Sequence, residues 1–268
     1  MNIKNITLGQ YVPGDSFLHR LDPRSKLLLT LAYIVAIFMV QGPGGYLLSA
    51  LLVYACARAA SLPFRFLLRG LKPLRFVILF TAVINLFMNG GGDILFKVGF
   101  LRATWSGLYT ALFFAFRLLF LVLGTSILTL TTSPIALTDA IERLLSPLRA
   151  IRFPAHELAM MMTIALRFIP TLIEEADKIM KAQSARGADF ESGNMFKRAK
   201  ALIPLLIPLF ISAFRRAGEL AMAMEARCYR GGEGRTRMRV LRYGRLDALA
   251  GLLMAIYVSL VIAENVLV

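Results

Sequence analysis

Acidic residues are scarce in this sequence. Its 268 residues carry 16 Asp and Glu against 31 Lys and Arg, a formal net charge of +15. Two Cys and two His are too few for a disulfide framework or an all-protein zinc site. Charged residues of both signs make up only 18%, where soluble domains average about 25%. With 57% of residues apolar and a mean hydropathy of +0.66, disorder, coiled coil, collagen and disulfide scaffold are excluded. The composition is that of an integral membrane protein. In that setting the basic excess calls for no nucleic acid, because Lys and Arg gather on the cytoplasmic side of membrane proteins. The first 26 residues, with Lys4, Asp15, Arg20, Asp22, Arg24 and Lys26, contain no apolar core, so no cleaved signal peptide is expected.

Runs without charge locate the spans. Leu27 to Ala57 has none, and is interrupted by Gln41-Gly42-Pro43-Gly44-Gly45, which is turn chemistry and predicts a hairpin of two spanning helices. Each half is short against the roughly 20 residues a bilayer needs. Flanking Arg24, Lys26 and Arg58 can make up the difference, since their long stems reach back to the headgroups. Asp22-Pro23 supplies a capping acid followed by proline at the first helical position. A third run covers Phe76 to Gly92 and ends in the loop signal Asn89-Gly90-Gly91-Gly92. A fourth extends from Trp105 to Leu130 with Arg117 inside it, and a fifth from Ala248 to Ala263.

Loop charge orients these five. The N-terminal segment carries four bases, and the second loop carries five: Arg58, Arg65, Arg69, Lys72 and Arg75. The first hairpin turn has none, and the third loop only Lys97 and Arg102. Residues 137–245 hold 19 bases, while a single Glu follows the last span. The N-terminus is therefore expected in the cytoplasm and the C-terminus outside a multi-pass plasma-membrane protein.

The long basic stretch is itself apolar in two places, Leu158 to Ile173 (broken by Arg167) and Ala201 to Phe214. If both crossed, Lys178, Lys181, Arg186, Lys197, Arg198 and Lys200 would lie outside, against the charge rule. Their lengths of 16 and 14 residues also fall short of a span. They are read as helices at or under the cytoplasmic surface, with apolar faces buried in lipid or in another membrane protein. Pro170, Pro204 and Pro208 are expected to bend them. Ala213, Ala217 and Ala221 form a small-residue stripe that allows close helix approach, although ordinary packing also accounts for it. Both helices end alike, in Ala185-Arg186-Gly187 and Ala226-Arg227-Cys228. In each an Arg follows Ala near a helix C-terminus, where the dipole favours a cation. Gly187 and Gly231 are expected to supply the left-handed stops. Two similar tips suggest a docking device rather than two unrelated helix ends.

At this point the chain resembles the transmembrane T component of energy-coupling factor (ECF) vitamin transporters over nearly its whole length. The resemblance rests on Tyr11-Val12-Pro13-Gly14-Asp15-Ser16, Leu18-His19-Arg20-Leu21-Asp22-Pro23-Arg24, Thr131-Thr132-Ser133-Pro134, Leu166-Arg167-Phe168-Ile169-Pro170 and the paired tips. It implies an all-α integral membrane protein with about five transmembrane helices plus three cytoplasm-side coupling helices, near 137–150, 155–187 and 196–231. Residues 1–136 then form an N-terminal transmembrane region, 137–245 the coupling region and 246–268 the last transmembrane helix. The resemblance further implies a complex with two ABC-type ATPases and one membrane S component that binds substrate. Arg186 and Arg227 would dock into the ATPases, although Cys228 stands where the family often has Gly. The apolar surface around Met160, Met161, Met162, Leu205, Leu206 and Leu209 is expected to contact the S component; such a Met run adapts readily to a partner, as it would to lipid.

The chain itself offers no catalytic centre by this reading. It has no phosphate-binding loop, because Gly231-Gly232-Glu233-Gly234 lacks the lysine and the spacing. His19 and His156 have no ligand-like neighbours in sequence, and Glu174-Glu175 read as a solvated helix face. Cys56 is expected to be packed, and Cys228 to stay reduced in the cytoplasm. No cofactor is expected. Two rivals compete: a T component of a cobalt or nickel importer, and a self-contained channel or secondary transporter using Arg117. The second meets a lack of acids in all five spans, which leaves Asn85 as the best polar partner for that arginine.

Overall fold

A computed structural model describes residues 11–88, 94–98, 101–151, 153–188, 190, 194–231 and 240–267. The expected loop at Asn89-Gly90-Gly91-Gly92, and Gly232-Glu233-Gly234, lie outside these. The described chain is helical apart from one short β-hairpin, and it divides into two compact units. Residues 9–140 with 240–268 form the first, and 141–239 belong to the second.

In the first unit a short α1 (Phe17–Arg20) leads into α2 (Pro23–Met39) and α3 (Pro43–Ala59). Next come α4 (Phe64–Leu71) and α5 (Arg75–Met88), then strands β1 (Ile94–Val98) and β2 (Leu101–Thr104), paired antiparallel. The long α6 (Trp105–Thr131) follows, and α11 (Arg245–Leu267) completes the unit from the far end of the chain. Each of the five expected spans is thus a helix. Their starts are set locally: Asp22 accepts the Arg24 amide with Pro23 behind it, and Thr104 accepts the Gly107 amide. The first hairpin turn is tighter than the sequence suggests, because Pro43 already opens α3 and draws Gly44 and Gly45 into its first turn. Helices α2 and α3, of 17 residues each, span about 26 Å, which leaves their basic flanks to reach the headgroups.

The unit is inside-out relative to a soluble domain. Large apolar side chains face outward, Leu47 at 73% exposure and Phe76 at 73% among them, as a lipid solvent requires. The interior relies on close approach and on buried hydroxyls. Tyr33 of α2 stacks on Tyr257 of α11, and its hydroxyl donates to the Phe120 carbonyl of α6 at 2.9 Å. Ser49 of α3 and the Tyr257 hydroxyl share a hydrogen bond of 2.7 Å. Gly124 lets the Tyr33 ring lie directly on the α6 backbone, since any Cβ there would overlap Tyr33 Cε1.

Polar groups collect at the two ends of this bundle. At one end Asp22 accepts both Nε and Nη2 of Arg24, at 3.0 and 2.9 Å, while its own amide donates to Asp247 at the start of α11. Burial alone would raise the Asp22 carboxyl, but the hydrogen bonds and charge of Arg24, with Lys26 nearby, hold it below the usual carboxylate range. Lys26 donates to the Thr131 carbonyl at the C-terminus of α6 at 3.0 Å. The segment 11–16 is strapped to the same place, with the Val12 amide on the Leu130 carbonyl and His19 between the Val12 carbonyl and the Ser16 hydroxyl. Two of the motifs quoted above, more than a hundred residues apart, therefore meet. At the other end Asn265 holds the Met39 carbonyl and the Gln41 amide. Arg117 donates to Val40, the C-cap of α2, at 2.9 Å, with the Phe38 and Phe114 rings nearby. Asn85 is not its partner; that side chain donates to Thr81 within α5. Arg117 is thus accounted for as a cation on a helix C-terminus.

The second unit takes over within α7 (Pro134–Leu145), which runs into a 3-10 turn at Ser146–Ile151. It contains α8 (Ala155–Ala185), α9 (Met195–Ala201) and α10 (Ile203–Ala226). Two expectations change here. The helices are 31 and 24 residues long, since each continues past its 16- or 14-residue apolar run into a polar half, as the expected 155–187 and 196–231 imply. By length and composition α8 joins α6 and α11 as able to cross a membrane, so length no longer argues against crossing and only the charge count does. Pro204, moreover, sits in the first turn of α10, where no amide bond is lost; only Pro170 and Pro208 lie inside helices.

Gly124→Ala tests the packing of the first unit. Overpacking against Tyr33 should destabilise by about 1–3 kcal/mol despite alanine's better helix propensity. The thermal midpoint of the detergent-purified chain should fall, and adding Tyr33→Leu should recover part of the loss.

Candidate functional site

The second unit is organised by the packing of α8 against α10. Ile164, Phe168 and Leu172 on α8 and Ala213, Ala217, Leu220, Ala221 and Met224 on α10 line an open groove between the two helices. These alanines are the small-residue stripe of the sequence; they border the groove rather than close it, and Ala217 and Ala221 remain exposed. One ion pair ties the two helices: Arg216 Nη2 donates to Glu175 Oε2 at 3.2 Å. Glu175 thus belongs to the helix junction, not to a purely solvated face. At the start of α8, His156 Nδ1 lies 3.0 Å from Glu142 on α7, which joins the third helix to the pair.

The two tips have the same geometry. Arg186 is the C-cap of α8, followed by Gly187 at φ +89°. The Ala188 amide donates to the Gln183 carbonyl and the Gly187 amide to that of Ser184, both at 3.0 Å. Arg227 is the C-cap of α10, followed by Cys228 at φ +55°. There the Tyr229 amide donates to Met224 at 3.0 Å and the Cys228 amide to Glu225 at 2.8 Å. Both are Schellman closures, a six-residue bond with a four-residue bond nested inside it, around one left-handed residue. Cys228, not Gly231, stops α10; Gly231 is also left-handed but lies three residues beyond. The replacement of Gly by Cys keeps the backbone shape at a conformational cost of about 1–2 kcal/mol. The end of α3 closes the same way around Ser61, so the turn alone is a common stop. At the tips of α8 and α10, however, the arginine is itself the cap and is exposed. Ala185, Gly187, Ala226 and Cys228 are exposed beside it, and Cys228 is a free thiol.

The apolar positions separate. Met161 and Met162 are exposed, and Met160 is half-buried. On α10, Leu205 is buried, Leu209 half-buried and Leu206 exposed. The free face of α10 is instead a stripe of Ile203, Leu206, Ile207, Phe210, Ile211 and Phe214, all exposed. Phe210 and Phe214 lie within the apolar stretch Ala201 to Phe214 but not among the six residues expected to contact a partner; their spacing of one turn from Leu206 is the signal that identifies them.

A polytopic helical bundle joined to two long helices with matching cationic tips is the architecture of a membrane transport component. The comparisons make it specific. Residues 14–238 match the family described as cobalt transport protein, CbiQ. The chain is 57% identical to the energy-coupling factor transporter transmembrane protein EcfT of Clostridium kluyveri, over 98% of both chains. To the protein of the same name in Bacillus subtilis it is 47% identical, over 98% of this chain and 97% of that one. A relative in Thermosediminibacter oceani is 57% identical over 92% and 93%. The chain belongs to this family of energy-coupling factor transporter transmembrane components.

The closure at Cys228 gives a local test. Cys228→Gly removes the left-handed penalty, and Cys228→Val adds a β-branch where none is tolerated. Hydrogen exchange of the 224–229 amides should slow in the first and accelerate about tenfold in the second, the equivalent of about 1.4 kcal/mol.

Proposed function

We infer that this chain is the non-catalytic coupling subunit of an energy-coupling factor importer, linking ATP hydrolysis by two ABC-type ATPases to uptake through a vitamin-binding S component. The observation that carries the reading is the duplicated tip: two exposed arginines, each the cap of a long helix, with the two helices paired through Glu175–Arg216 beside a shared groove. Arg186 and Arg227 anchor one ATPase each. A guanidinium binds a carboxylate through two parallel donors, and each such charge-assisted bond contributes roughly 1.5–3 kcal/mol. Closure of the ATPases on ATP then displaces the tips, and rigid helices carry that displacement to the apolar stripe of α10 and to Met161 and Met162. Those side chains grip the S component, which alone sets the substrate. The family model's description as cobalt transport keeps a cobalt importer as the second reading.

The same reading places α8 and α10 on the cytoplasmic side, with the N-terminus inside and the C-terminus outside the plasma membrane. The connection between them then stays inside. A cysteine introduced as Ser192→Cys should resist an impermeant thiol reagent in intact cells and react after permeabilisation. Labelling from outside would mean that α8 and α10 cross the bilayer, and the coupling role would fail.

The anchors themselves are tested by charge reversal. Arg186→Glu with Arg227→Glu should leave an inserted protein that no longer recovers the ATPases. Either change alone should do less, because two docking points on one scaffold raise each other's effective concentration. Equal damage from Lys197→Glu with Lys200→Glu would replace specific anchors by a diffuse basic patch.

A further inference from the structure

Five bases of the first unit take no part in any of this. Arg58, Arg65, Arg69, Lys72 and Arg75 surround α4, and all five are exposed. Among the described residues none of them is ion-paired to an acid. The sequence offers no acid to pair with nearby, since there is no Asp or Glu between Asp22 and Asp93. The side of the membrane they occupy follows from the general bias of Lys and Arg toward the cytoplasm, but like charges crowded around one short helix repel one another, and an anionic neighbour would relieve that repulsion.

The geometry narrows what that neighbour is. Helix α4 is pinned on one side only. Leu62 ahead of it and Leu67 within it are buried, Phe66 packs on the core, and a Cβ at Gly70 would stand 2.9 Å from Ser126 Oγ of α6. The opposite face, at positions one turn apart, reads Arg65, Leu68, Arg69 and Lys72, with Leu68 57% exposed. Helix α4 also joins the end of α3 to the start of α5, two membrane helices, so it lies where hydrocarbon meets headgroups. A leucine flanked by cations at that level suits a molecule with an acyl chain and a negatively charged head. An acidic protein surface would satisfy the cations but leave Leu68 without a greasy neighbour.

We propose that the outer face of α4 is a binding surface for anionic phospholipid, with Arg65, Arg69 and Lys72 holding the headgroups and Leu68 seated among the acyl chains. Arg58 and Arg75, at the flanking helix ends, add to the field. A base near an anionic surface contributes about 1 kcal/mol, or about fivefold in binding, so three together give a preference of tenfold or more.

The test is native mass spectrometry of the full-length chain in mixed micelles holding equal phosphatidylglycerol and phosphatidylcholine. The unaltered protein should retain phosphatidylglycerol at least tenfold over phosphatidylcholine, and the preference should shrink as salt rises. Arg65→Gln with Arg69→Gln and Lys72→Gln should bring the ratio close to one. The charge-conserving set Arg65→Lys, Arg69→Lys and Lys72→Arg should keep it, which separates lost charge from lost fold. Removal of three bases elsewhere, by Lys197→Gln, Lys200→Gln and Arg230→Gln, should leave it unchanged. The proposal is overturned if the unaltered chain shows no preference, or if the Gln set keeps one. It is also overturned if the Gln set keeps its lipids yet loses the ATPases on purification, since α4 would then be a protein interface.

Discussion

In hydrocarbon no water is present to satisfy a backbone amide or a stray charge, and this constraint shapes every part of the first unit. It explains why each of the five long apolar segments is a helix and why their outward faces are greasy. It also explains why many of the polar side chains that do enter bond to the backbone or to each other. Ser49 and Tyr257 satisfy each other, Thr125 and Ser126 bond back to the preceding turn, and Arg117 finds a carbonyl at a helix end. Polar groups are concentrated at the two ends of the bundle, where they clasp helices distant in sequence: Asp22 to Asp247 at one end, Asn265 to Met39 at the other.

The second unit answers to a different demand. Its helices are long, carry Pro170 and Pro208 in their interiors, and are paired through Glu175–Arg216 beside an open groove. The exposed stripe toward one end of α10 and the arginine caps at the other ends of α8 and α10 are both open to partners. The Schellman closures matter to this because they fix where a terminal arginine sits relative to its helix axis. A frayed end would scatter the guanidinium over many positions and weaken any docking that needs two parallel bonds.

Much of this was legible in the sequence, for physical reasons. Charge-free runs gave the five helices because lipid forbids unpaired charge. Asp22-Pro23 marked the start of α2 because a capping oxygen and a fixed φ suit that position. The alanine repeat was a weaker sign, because Ala217 and Ala221 border the groove between α8 and α10 and stay exposed. What escaped was set by tertiary contact. The partner of Arg117 lies in the turn after α2, 77 residues away, and no local pattern points to it. Length failed as a sign against crossing at α8 because a polar half adds helix without adding hydrophobic signal. The stop at Cys228 was missed because glycine at 231 is the better left-handed residue in isolation; the hydrogen bonds to Met224 and Glu225 select Cys228 instead. The free face of α10 could have been read more fully, since Leu206, Phe210 and Phe214 already show the period of a helix.

The central claim is that one chain holds two kinds of partner at opposite ends of the same helices. Site-specific photo-crosslinking from positions 227 and 210, in whole transporter complexes, tests it most directly. The account predicts that position 227 captures an ATPase subunit and position 210 a small membrane protein, with neither probe capturing the other's partner. Capture of the same partner from both positions, or of lipid alone from both, would contradict it.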